Sequence, residues 1–410
     1  MEARIDWEPV LRGDLAVAAR NRIIEILNAL ARLDFSDDSA LERADRILLY
    51  SYLAAAGTEL PCGSGVEGLF DTPIPSLPPE LPSGIFNGLT SIGWTIQHCT
   101  HFSEPPDADD GEAQDPLEDL EQLVLARLRV DRWTESYDLV SGLTGIGVHF
   151  LERLPSAAAS EGLSLVVGHL DKLATTDATG TTWHTPACLL PPKQRVKCPD
   201  GHYNLGVAHG VPGIVFILAE AIAAGVETRR AKDLLEGAVK WLLSKEQPAE
   251  PQQSCYSHWI GGDAPPRFRH SAWCYGDLGI AAVLAHAGDR LDWPQVSDSA
   301  EALIERSLNH LAMPTEATLC HGALGVAHIC NRLYQATAKA TYKAAAHFYY
   351  ESALSMLTRT EPEVSRGRHE GSLSTRFLQG AIGVALGLLS AIEPIEPQWD
   401  RRLLLSGRRF

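Results

Sequence analysis

The amino-acid sequence predicts an all-α protein built from repeated helical hairpins. The first observation is a short pattern, Gly-x-x-Gly followed by Ile or Val, which begins at residues 142, 210, 276, 322 and 380. A degenerate sixth copy at residues 88–93 has Ser91 in place of the second glycine. Subtracting successive starting positions gives spacings of 46 to 68 residues. That length accommodates one helical hairpin with its loops, and such recurrence is typical of a repeat architecture.

The second observation is that each motif is followed by a segment with the composition of a buried helix. Residues 213–224 are rich in Ala and aliphatic side chains and are apolar on almost every side, which indicates a helix buried all round. The stretches between the motifs, such as residues 229–243 and 299–308, carry charges at spacings that leave one apolar face. This alternation predicts an inner ring of buried helices within an outer ring of amphipathic ones, an α/α toroid of six or seven helical hairpins.

An open superhelical solenoid is the main alternative to a closed ring. Closure is favoured because the repeats are irregular in length, capping repeats are not obvious, and soft metal ligands occur in distant copies. We therefore predict a single toroid domain over residues 1–410, with two amphipathic helices in residues 1–60 completing it. Residues 103–122 are acidic and turn-rich, which predicts a mobile loop. The basic C-terminal end, residues 401–410, is expected to be a tail.

The composition excludes several classes of partner. A net charge of −17 argues against nucleic acid or an anionic membrane surface, and it suits attraction to a cationic peptide. No apolar run reaches the roughly 18 residues that a membrane span needs. The N-terminus also lacks the basic-then-apolar pattern of a secretory signal. These features predict a cytoplasmic protein without an integral membrane segment.

Three potential metal ligands stand directly before two of the glycine motifs. Cys274 lies two residues before Gly276, and the adjacent pair Cys320 and His321 precedes Gly322. Two thiolates and one imidazole are soft ligands of the kind that hold Zn²⁺. Three ligands leave a coordination position open, which is typical of catalytic rather than structural zinc. Because adjacent residues inside a helix cannot face one ion, we expect the pair at a helix start, where exposed N–H groups would favour the thiolate.

Two further polar residues occupy related positions and are candidates for acid–base chemistry. His209 directly precedes Gly210, a position that matches that of Cys274 to within about one residue, and Asp138 lies four residues before Gly142. A helix cap or a satisfied core residue is the more common role for a lone His or Asp. Their place beside the same glycine motifs raises the case for proton transfer.

Together, these motifs resemble those of the lanthionine synthetase C-type cyclases. The resemblance is carried by residues 204–213 (NLGVAHGVPG), 273–279 (WCYGDLG) and 320–322 (CHG), with a related stretch at residues 183–192 (WHTPACLLPP). The glycine motifs extend it over roughly residues 85–390. It implies an α/α toroid in which Cys274, Cys320 and His321 bind Zn²⁺, with a water in the fourth position.

The resemblance also implies a substrate and a reaction. The substrate is a dehydrated ribosomal precursor peptide, leader plus core, that bears dehydroalanine or dehydrobutyrine and cysteines. A cysteine thiolate replaces the water and adds to the β-carbon of the dehydro residue in a Michael-type addition. Protonation of the enolate then completes a lanthionine or methyllanthionine thioether. His209 and Asp138 are implied as the acid–base pair, and a dehydratase and an exporter are candidate partners.

Two more residues are candidates for contact with the substrate. Tyr275 offers a hydrogen bond to the enolate oxygen, with a packing role as the alternative. The resemblance leads us to expect an arginine three residues before Trp273, where this chain has His270. The neighbouring Arg269 is the candidate to replace it, and His270 itself is the alternative.

Three other functions stay open from the sequence. The chain could add glutathione or another free thiol to dehydroamino acids with the same zinc chemistry. It could be a non-catalytic helical scaffold whose zinc is closed by His209, His328 or Cys330. A glycosidase of toroid type would need paired carboxylates, for which Asp138 and Asp277 are the candidates.

Overall fold

The structure is a computed structural model in which helices predominate. It describes residues 7–33, 38–58, 77, 80–102, 115–248, 250, 252–263, 271–310, 312–358, 364–365 and 373–408. The α-helices within these ranges are α1 Gly13–Ala31, α2 Ala40–Ala55, α3 Leu89–Cys99, α4 Glu118–Leu128, α5 Leu143–Arg153, α6 Ala157–Leu173, α7 Pro192–Lys197, α8 Val211–Ala223, α9 Thr228–Leu243, α10 Asp277–Arg290, α11 Pro294–His310, α12 Ala323–Thr337, α13 Ala340–Leu357 and α14 Ala381–Ile392. None of these helices combines the length and the apolar run that a membrane crossing requires.

The chain separates into two compact units. The first contains Met1–Ser76, His98–Glu104 and Met313–Trp399, and the second contains Leu77–Gln97, Pro105–Ala312 and Asp400–Phe410. The prediction of one domain over residues 1–410 stays a prediction.

In the first unit, buried helices pack against amphipathic ones. Every residue of α14 is buried, and α14 contacts α1, α2 and α12. Helix α12 also packs along α13, which buries only one face against it. Helices α1 and α2 are the two helices predicted in residues 1–60, and α2 begins with a capping box between Ser39 and Glu42. The predicted alternation of helix types is therefore confirmed in this unit.

The second unit follows the same plan. Helix α8 is buried at every position from Val211 to Ala221 and contacts α5, α9 and α10. Its neighbour α9 instead buries a single stripe that includes Leu234, Leu235, Val239 and Leu242. Helices α5 and α10 are each paired with a following outer helix, α6 and α11. The apolar pattern of each segment thus decides whether its helix is surrounded or half exposed.

Short strands, which the sequence did not predict, interrupt the helical pattern. They pair as β1 Ala174–Asp177 with β2 Gly180–Trp183, β3 Tyr203–Asn204 with β4 Trp259–Ile260, and β5 Val364–Ser365 with β6 Leu373–Ser374. The first two pairs are antiparallel and the third is parallel. Strand β3 matters most for the site, because it immediately precedes the loop that carries His209.

The predicted extent of the acidic loop is corrected by the structure. Residues 103–114 of the predicted acidic loop lie outside the described residues, and the helix α4 already begins at Glu118, so the loop does not extend to residue 122. Acidic side chains in the first turn suit the positive end of a helix, and Leu120 and Val124 are buried.

The C-terminal segment is packed into the second unit rather than left as a tail. Arg402 is completely buried and donates hydrogen bonds to the Ile85 carbonyl and the Ser91 hydroxyl. Arg401, also buried, forms an ion pair with Glu152 at 3.1 Å.

Candidate metal centre and its loops

Each of the six glycine motifs directly precedes a buried helix. The first glycine is the N-cap of α5, α8, α10, α12 and α14, and in none of these five does a side chain cap the helix. The preceding loop performs this role with its own carbonyl groups. At α12, the amide of Ala323 donates to the Glu316 carbonyl at 2.8 Å, and that of Gly325 donates to the Thr318 carbonyl at 3.3 Å. The loop therefore folds back over the first turn and satisfies N–H groups that a helix start otherwise leaves unpaired.

This backbone capping corrects one detail of the sequence interpretation. The first N–H groups of α12 were expected to be exposed and to favour a thiolate at Cys320. They are instead used by the loop carbonyls, while the amide of Cys320 donates to the Leu378 carbonyl at 3.0 Å. A thiolate at Cys320 must therefore be stabilised by another positive group.

In the five complete motifs, the second glycine makes the fold-back possible. A Cβ atom on Gly325 would lie 2.0 Å from the Leu319 carbonyl oxygen, and one on Gly383 would lie 1.8 Å from the Phe377 carbonyl oxygen. In both cases the carbonyl belongs to the residue six positions earlier. No side chain fits such a gap, so the glycines determine the path of the loop and therefore where its side chains lie.

The loops share a common register, which we number backwards from the first glycine. The third residue before it is apolar and buried in all six loops: Ile85, Leu139, Val207, Trp273, Leu319 and Phe377. The residue directly before it, position −1, is polar and partly exposed in all six: Asn87, Ser141, His209, Tyr275, His321 and Gln379. One position anchors the loop and the other offers a polar side chain.

Backbone hydrogen bonds join neighbouring loops near the first glycine. The amide of Leu139 donates to the Ala208 carbonyl at 3.2 Å, and the amide of Ala208 donates to the Cys274 carbonyl at 3.5 Å. Ala208 and Cys274 both stand two residues before the first glycine of their loops, so they are equivalent. The sequence comparison of His209 with Cys274 is therefore shifted by one residue, and His209 corresponds to Tyr275 and His321.

The structure brings the three predicted metal ligands together. The sulfur atoms of Cys274 and Cys320 and a ring nitrogen of His321 all lie within 4.8 Å of one another. Both cysteines are buried and His321 is partly exposed. No fourth His, Cys, Asp or Glu joins this group among the residues that the structure describes. Two sulfurs and one imidazole nitrogen form a donor set that suits Zn²⁺, so the cluster could hold this metal.

A carboxylate that the sequence analysis missed contacts the histidine of this cluster. Glu316 Oε1 lies 3.2 Å from His321 Nε2, and the hydroxyl of Thr318 donates a hydrogen bond to the same carboxylate oxygen. The hydrogen bond to Cys320, followed by the contact with Glu316, raises the pKa of His321 to about 10. With Nε2 facing Glu316, Nδ1 is the nitrogen left for a metal. Metal-binding histidines commonly have such an outer carboxylate, so this contact fits a metal site.

His209 and Asp138 form a close pair. His209 Nδ1 lies 2.6 Å from Asp138 Oδ2, and the other carboxylate oxygen of Asp138 accepts the Ser141 amide at 2.7 Å. The His209 side chain is 42% exposed, whereas that of Asp138 is 13% exposed. A carboxylate accepts hydrogen bonds, which assigns the proton of neutral His209 to Nδ1. Nε2 is then the nitrogen that can exchange a proton with a substrate.

Tyr275 lies beside this pair. Its ring centroid is 6.3 Å from that of His209 and 5.0 Å from that of His258. Its hydroxyl is 3.0 Å from Nδ2 of Asn204, a residue that the sequence analysis did not select. Arg269 and His270, the two candidates for the expected arginine, lie outside the described residues.

Two side chains considered for the alternative functions, Asp277 and His328, are occupied elsewhere. Asp277 is buried and accepts the amides of Cys255 and Tyr256 at 2.8 and 3.2 Å. Because of this burial its pKa is raised to about 6. His328 stacks on Trp399 with 4.6 Å between ring centroids. Nothing in these contacts favours a glycosidase carboxylate at Asp277 or a fourth metal ligand at His328.

Cys330 is likewise part of the core of α12. It is completely buried, and burial raises the pKa of its thiol to about 12. A thiol of this kind is a packing residue rather than a metal ligand.

Comparison with solved structures defines the class of protein. The fold matches that of nisin cyclase with a TM-score of 0.71 at 19% sequence identity, over 94% of this chain and 97% of that chain. At this identity the likeness concerns the fold, which is an α/α toroid as the sequence predicted. The chain is thus a helical toroid protein with a candidate metal centre at the starts of its buried helices.

The family follows from the sequence itself. The family model for lanthionine synthetase C-like proteins matches residues 71–404, and the chain belongs to this family. It is 22% identical over 269 residues to the nisin biosynthesis protein NisC of Lactococcus lactis subsp. lactis. That alignment covers 61% of this chain and 62% of the relative, so the chain spans somewhat less than two thirds of the curated protein it matches.

Proposed function

We propose that this protein is a zinc-dependent cyclase that forms lanthionine or methyllanthionine in a dehydrated precursor peptide. The observation that carries the proposal is the group of Cys274, Cys320 and His321, whose ligand atoms lie within 4.8 Å of one another. Family membership and the names of its relatives, nisin cyclase and a nisin biosynthesis protein, support the same reaction. A cytoplasmic location and partnership with a dehydratase and an exporter belong to this proposal.

Zinc would be held by Cys274, Cys320 and His321 Nδ1. When bound, zinc would lower the pKa of a substrate cysteine thiol and keep its thiolate nucleophilic. Glu316 would accept the Nε2 proton of His321 and so fix the tautomer and orientation of the ring. The three ligands leave one coordination position for the substrate.

The His209–Asp138 pair would supply the proton that the addition needs. The new bond joins the substrate sulfur to the β-carbon, and the electrons of the carbon–carbon double bond move towards the α-carbon and its carbonyl. A proton must then reach the α-carbon. His209 Nε2 would first take up the proton that the cysteine thiol releases and would then give it to the α-carbon. Asp138, 2.6 Å from Nδ1, would orient the ring and stabilise its protonated form.

Tyr275 would hydrogen-bond the substrate carbonyl oxygen while negative charge develops there. A donor aimed at such an oxygen stabilises the transition state more than the ground state. Arg269 stays a candidate for a second contact to the same carbonyl, on the evidence of the sequence alone.

The proposal is tested by measuring zinc and ring formation together. Wild type, Cys274→Ala and Cys320→Ala are compared with Cys188→Ala, which removes an exposed cysteine outside the metal group. Cyclisation leaves the peptide mass unchanged, so it is followed as loss of thiols that an alkylating reagent can modify. We expect about one zinc per chain and ring formation in wild type and Cys188→Ala, and neither in the other two variants.

Other outcomes distinguish the alternatives. Wild type without zinc, or zinc retained in Cys274→Ala and Cys320→Ala, would contradict the proposal. A peptide that keeps its alkylatable thiols but gains the mass of glutathione when glutathione is added would instead identify an enzyme that adds free thiols. Zinc without either reaction would identify a scaffold.

A further inference from the structure

We propose that Asn204 is a positioning residue that fixes the direction of the Tyr275 hydroxyl proton. This inference rests on the proposed function, because it concerns how Tyr275 addresses the substrate carbonyl. It is carried by two hydrogen bonds of the Asn204 side chain, one to a backbone amide and one to the phenol.

The first hydrogen bond assigns the two ends of the Asn204 amide. The backbone amide of Gly206 lies 2.9 Å from Oδ1 of Asn204. Because a backbone N–H can only donate, the atom facing it must be the side-chain oxygen. The amide nitrogen, Nδ2, is therefore the atom that lies 3.0 Å from the Tyr275 hydroxyl oxygen.

The second hydrogen bond then has only one possible direction. An amide nitrogen has no acceptor capacity, so Nδ2 donates and the phenolic oxygen of Tyr275 accepts. The single proton of that hydroxyl must consequently point to an acceptor other than Asn204. A hydroxyl that accepts one hydrogen bond is also a stronger donor in the next, because the two bonds polarise each other.

The backbone of Asn204 holds this donor in place. Asn204 is only 3% exposed, and it pairs with Trp259 in the two-stranded sheet of β3 and β4. A Cβ atom on Gly210 would lie 2.2 Å from the Asn204 carbonyl oxygen, so the residue also forms the fold-back of the loop that carries His209. One residue therefore fixes the His209 loop with its backbone and the Tyr275 hydroxyl of the next loop with its side chain.

This arrangement has a defined consequence for the reaction. The substrate carbonyl oxygen gains negative charge as the sulfur–carbon bond forms, and Tyr275 donates a hydrogen bond to it without losing its proton. Asn204 in turn donates to the Tyr275 oxygen. The chain of two donors places partial positive charge at the carbonyl oxygen and needs no reorganisation during the step.

The test reverses the polarity of one atom. Asn204→Asp keeps the size of the side chain but replaces the donating nitrogen with an accepting oxygen, so the Tyr275 proton turns towards residue 204. We expect kcat for ring formation to fall about 10²-fold, as for Tyr275→Phe, with zinc content unchanged. In the double variant, Asn204→Asp should lower kcat no further than Tyr275→Phe alone. Asn204→Ser, which lacks the amide donor, should show the same dependence on Tyr275.

A second measurement does not depend on activity. With 3-fluorotyrosine at position 275, the ¹⁹F chemical shift at one fixed pH reports the hydrogen bonds of this phenol. Loss of the Asn204 donor in Asn204→Asp or Asn204→Ser should shift this resonance from its wild-type position, because the phenolic oxygen no longer accepts from the amide nitrogen. Wild type that binds zinc but forms no rings, with this shift still present, would contradict the proposed function and leave the hydrogen-bond assignment intact. The inference would be overturned if Asn204→Asp lowered kcat equally with and without the Tyr275 hydroxyl, or if the ¹⁹F resonance did not move.

Discussion

The loops before α12 and α14 have the same backbone design and different chemistry. Both fold back over the start of a buried helix, and both need a glycine where a Cβ atom would lie 2.0 Å or less from a carbonyl oxygen. A hydrogen bond from the Cys320 amide to the Leu378 carbonyl joins residues at the same loop position. Yet one loop carries Cys320 and His321 where the other carries Leu378 and Gln379.

The comparison shows that the residues that shape the loops differ from the residues that carry their chemistry. The glycines and the buried apolar position shape every loop, whereas two positions next to the first glycine decide what a loop can do. A third position, six residues before the glycine, holds Glu316 in one loop and Ser374 in the other. The comparison can be tested by changing matched positions of the two loops.

The largest expected effect is at the position of Cys320. Cys320→Ala removes one of three ligands, so zinc content should fall from about one per chain to near zero and ring formation by at least about 10³-fold. Leu378→Ala changes the matched position of the α14 loop and should keep both properties. Zinc is measured by elemental analysis of protein purified without chelator. If Cys320→Ala and Leu378→Ala lost zinc equally, the two loops would not differ in their contribution to zinc binding.

Changes at the second glycine should affect the two loops alike. Gly325→Ala and Gly383→Ala each force a Cβ atom against a backbone carbonyl, which should destabilise the protein by on the order of 2–4 kcal/mol. Gly387→Ala is the matched control within α14, because its Cβ atom would meet only side-chain atoms of Leu319 and Leu324, at 3.3 Å or more. Denaturant unfolding followed by circular dichroism provides the measurement. If Gly387→Ala were as unstable as Gly325→Ala and Gly383→Ala, contact with a backbone carbonyl would not be the cause of the destabilisation.

The scaffold is the part that the sequence predicts well. The glycine motifs placed the start of α12 directly after Gly322, and the ligand types of Cys274, Cys320 and His321 predicted the cluster that the structure shows. Both inferences use local signals, a repeated pattern and a characteristic donor set. The two-residue strands such as β3 gave no signal because they are too short for any periodicity.

The supporting residues were missed for a different reason. Glu316 contacts His321, and Asn204 contacts Tyr275, only because the loops fold back across the helix starts. In the sequence Glu316 is a single acid in a polar loop, which usually means a solvated side chain. The common register offers the signal that was overlooked, since both residues stand six positions before the first glycine of their loops.

A smaller effect is expected from Glu316. Glu316→Gln keeps the size of the side chain but removes the charge that faces His321 Nε2, so zinc affinity should fall roughly 10- to 100-fold. Ser374→Ala, at the matched position of the α14 loop, should leave the affinity unchanged. Competition with a chromophoric chelator measures the dissociation constant directly. An unaltered affinity in Glu316→Gln would mean that the carboxylate does not support the ligand.

The smallest effect concerns a position where the loop before α10 differs from all the others. The first helical residue after the glycine is apolar in five loops, Leu89, Leu143, Val211, Ala323 and Ala381, but is Asp277 in the sixth. Asp277 is buried and receives two backbone amides from residues 255 and 256. Burial outweighs these hydrogen bonds and raises its pKa from 3.8 to about 6. The fold therefore favours the neutral carboxyl group.

The sign of the pH dependence follows from that shift. Folded protein binds the Asp277 proton more tightly than unfolded protein, so its contribution to stability is greatest below about pH 4 and declines as the pH rises to about 6. Asp277→Asn cannot titrate. The unfolding free energy of wild type relative to this variant should thus fall by about 2 kcal/mol between pH 4.5 and pH 7. A difference that stays constant over this range would show that Asp277 is ionised throughout, and that its two amide partners outweigh its burial.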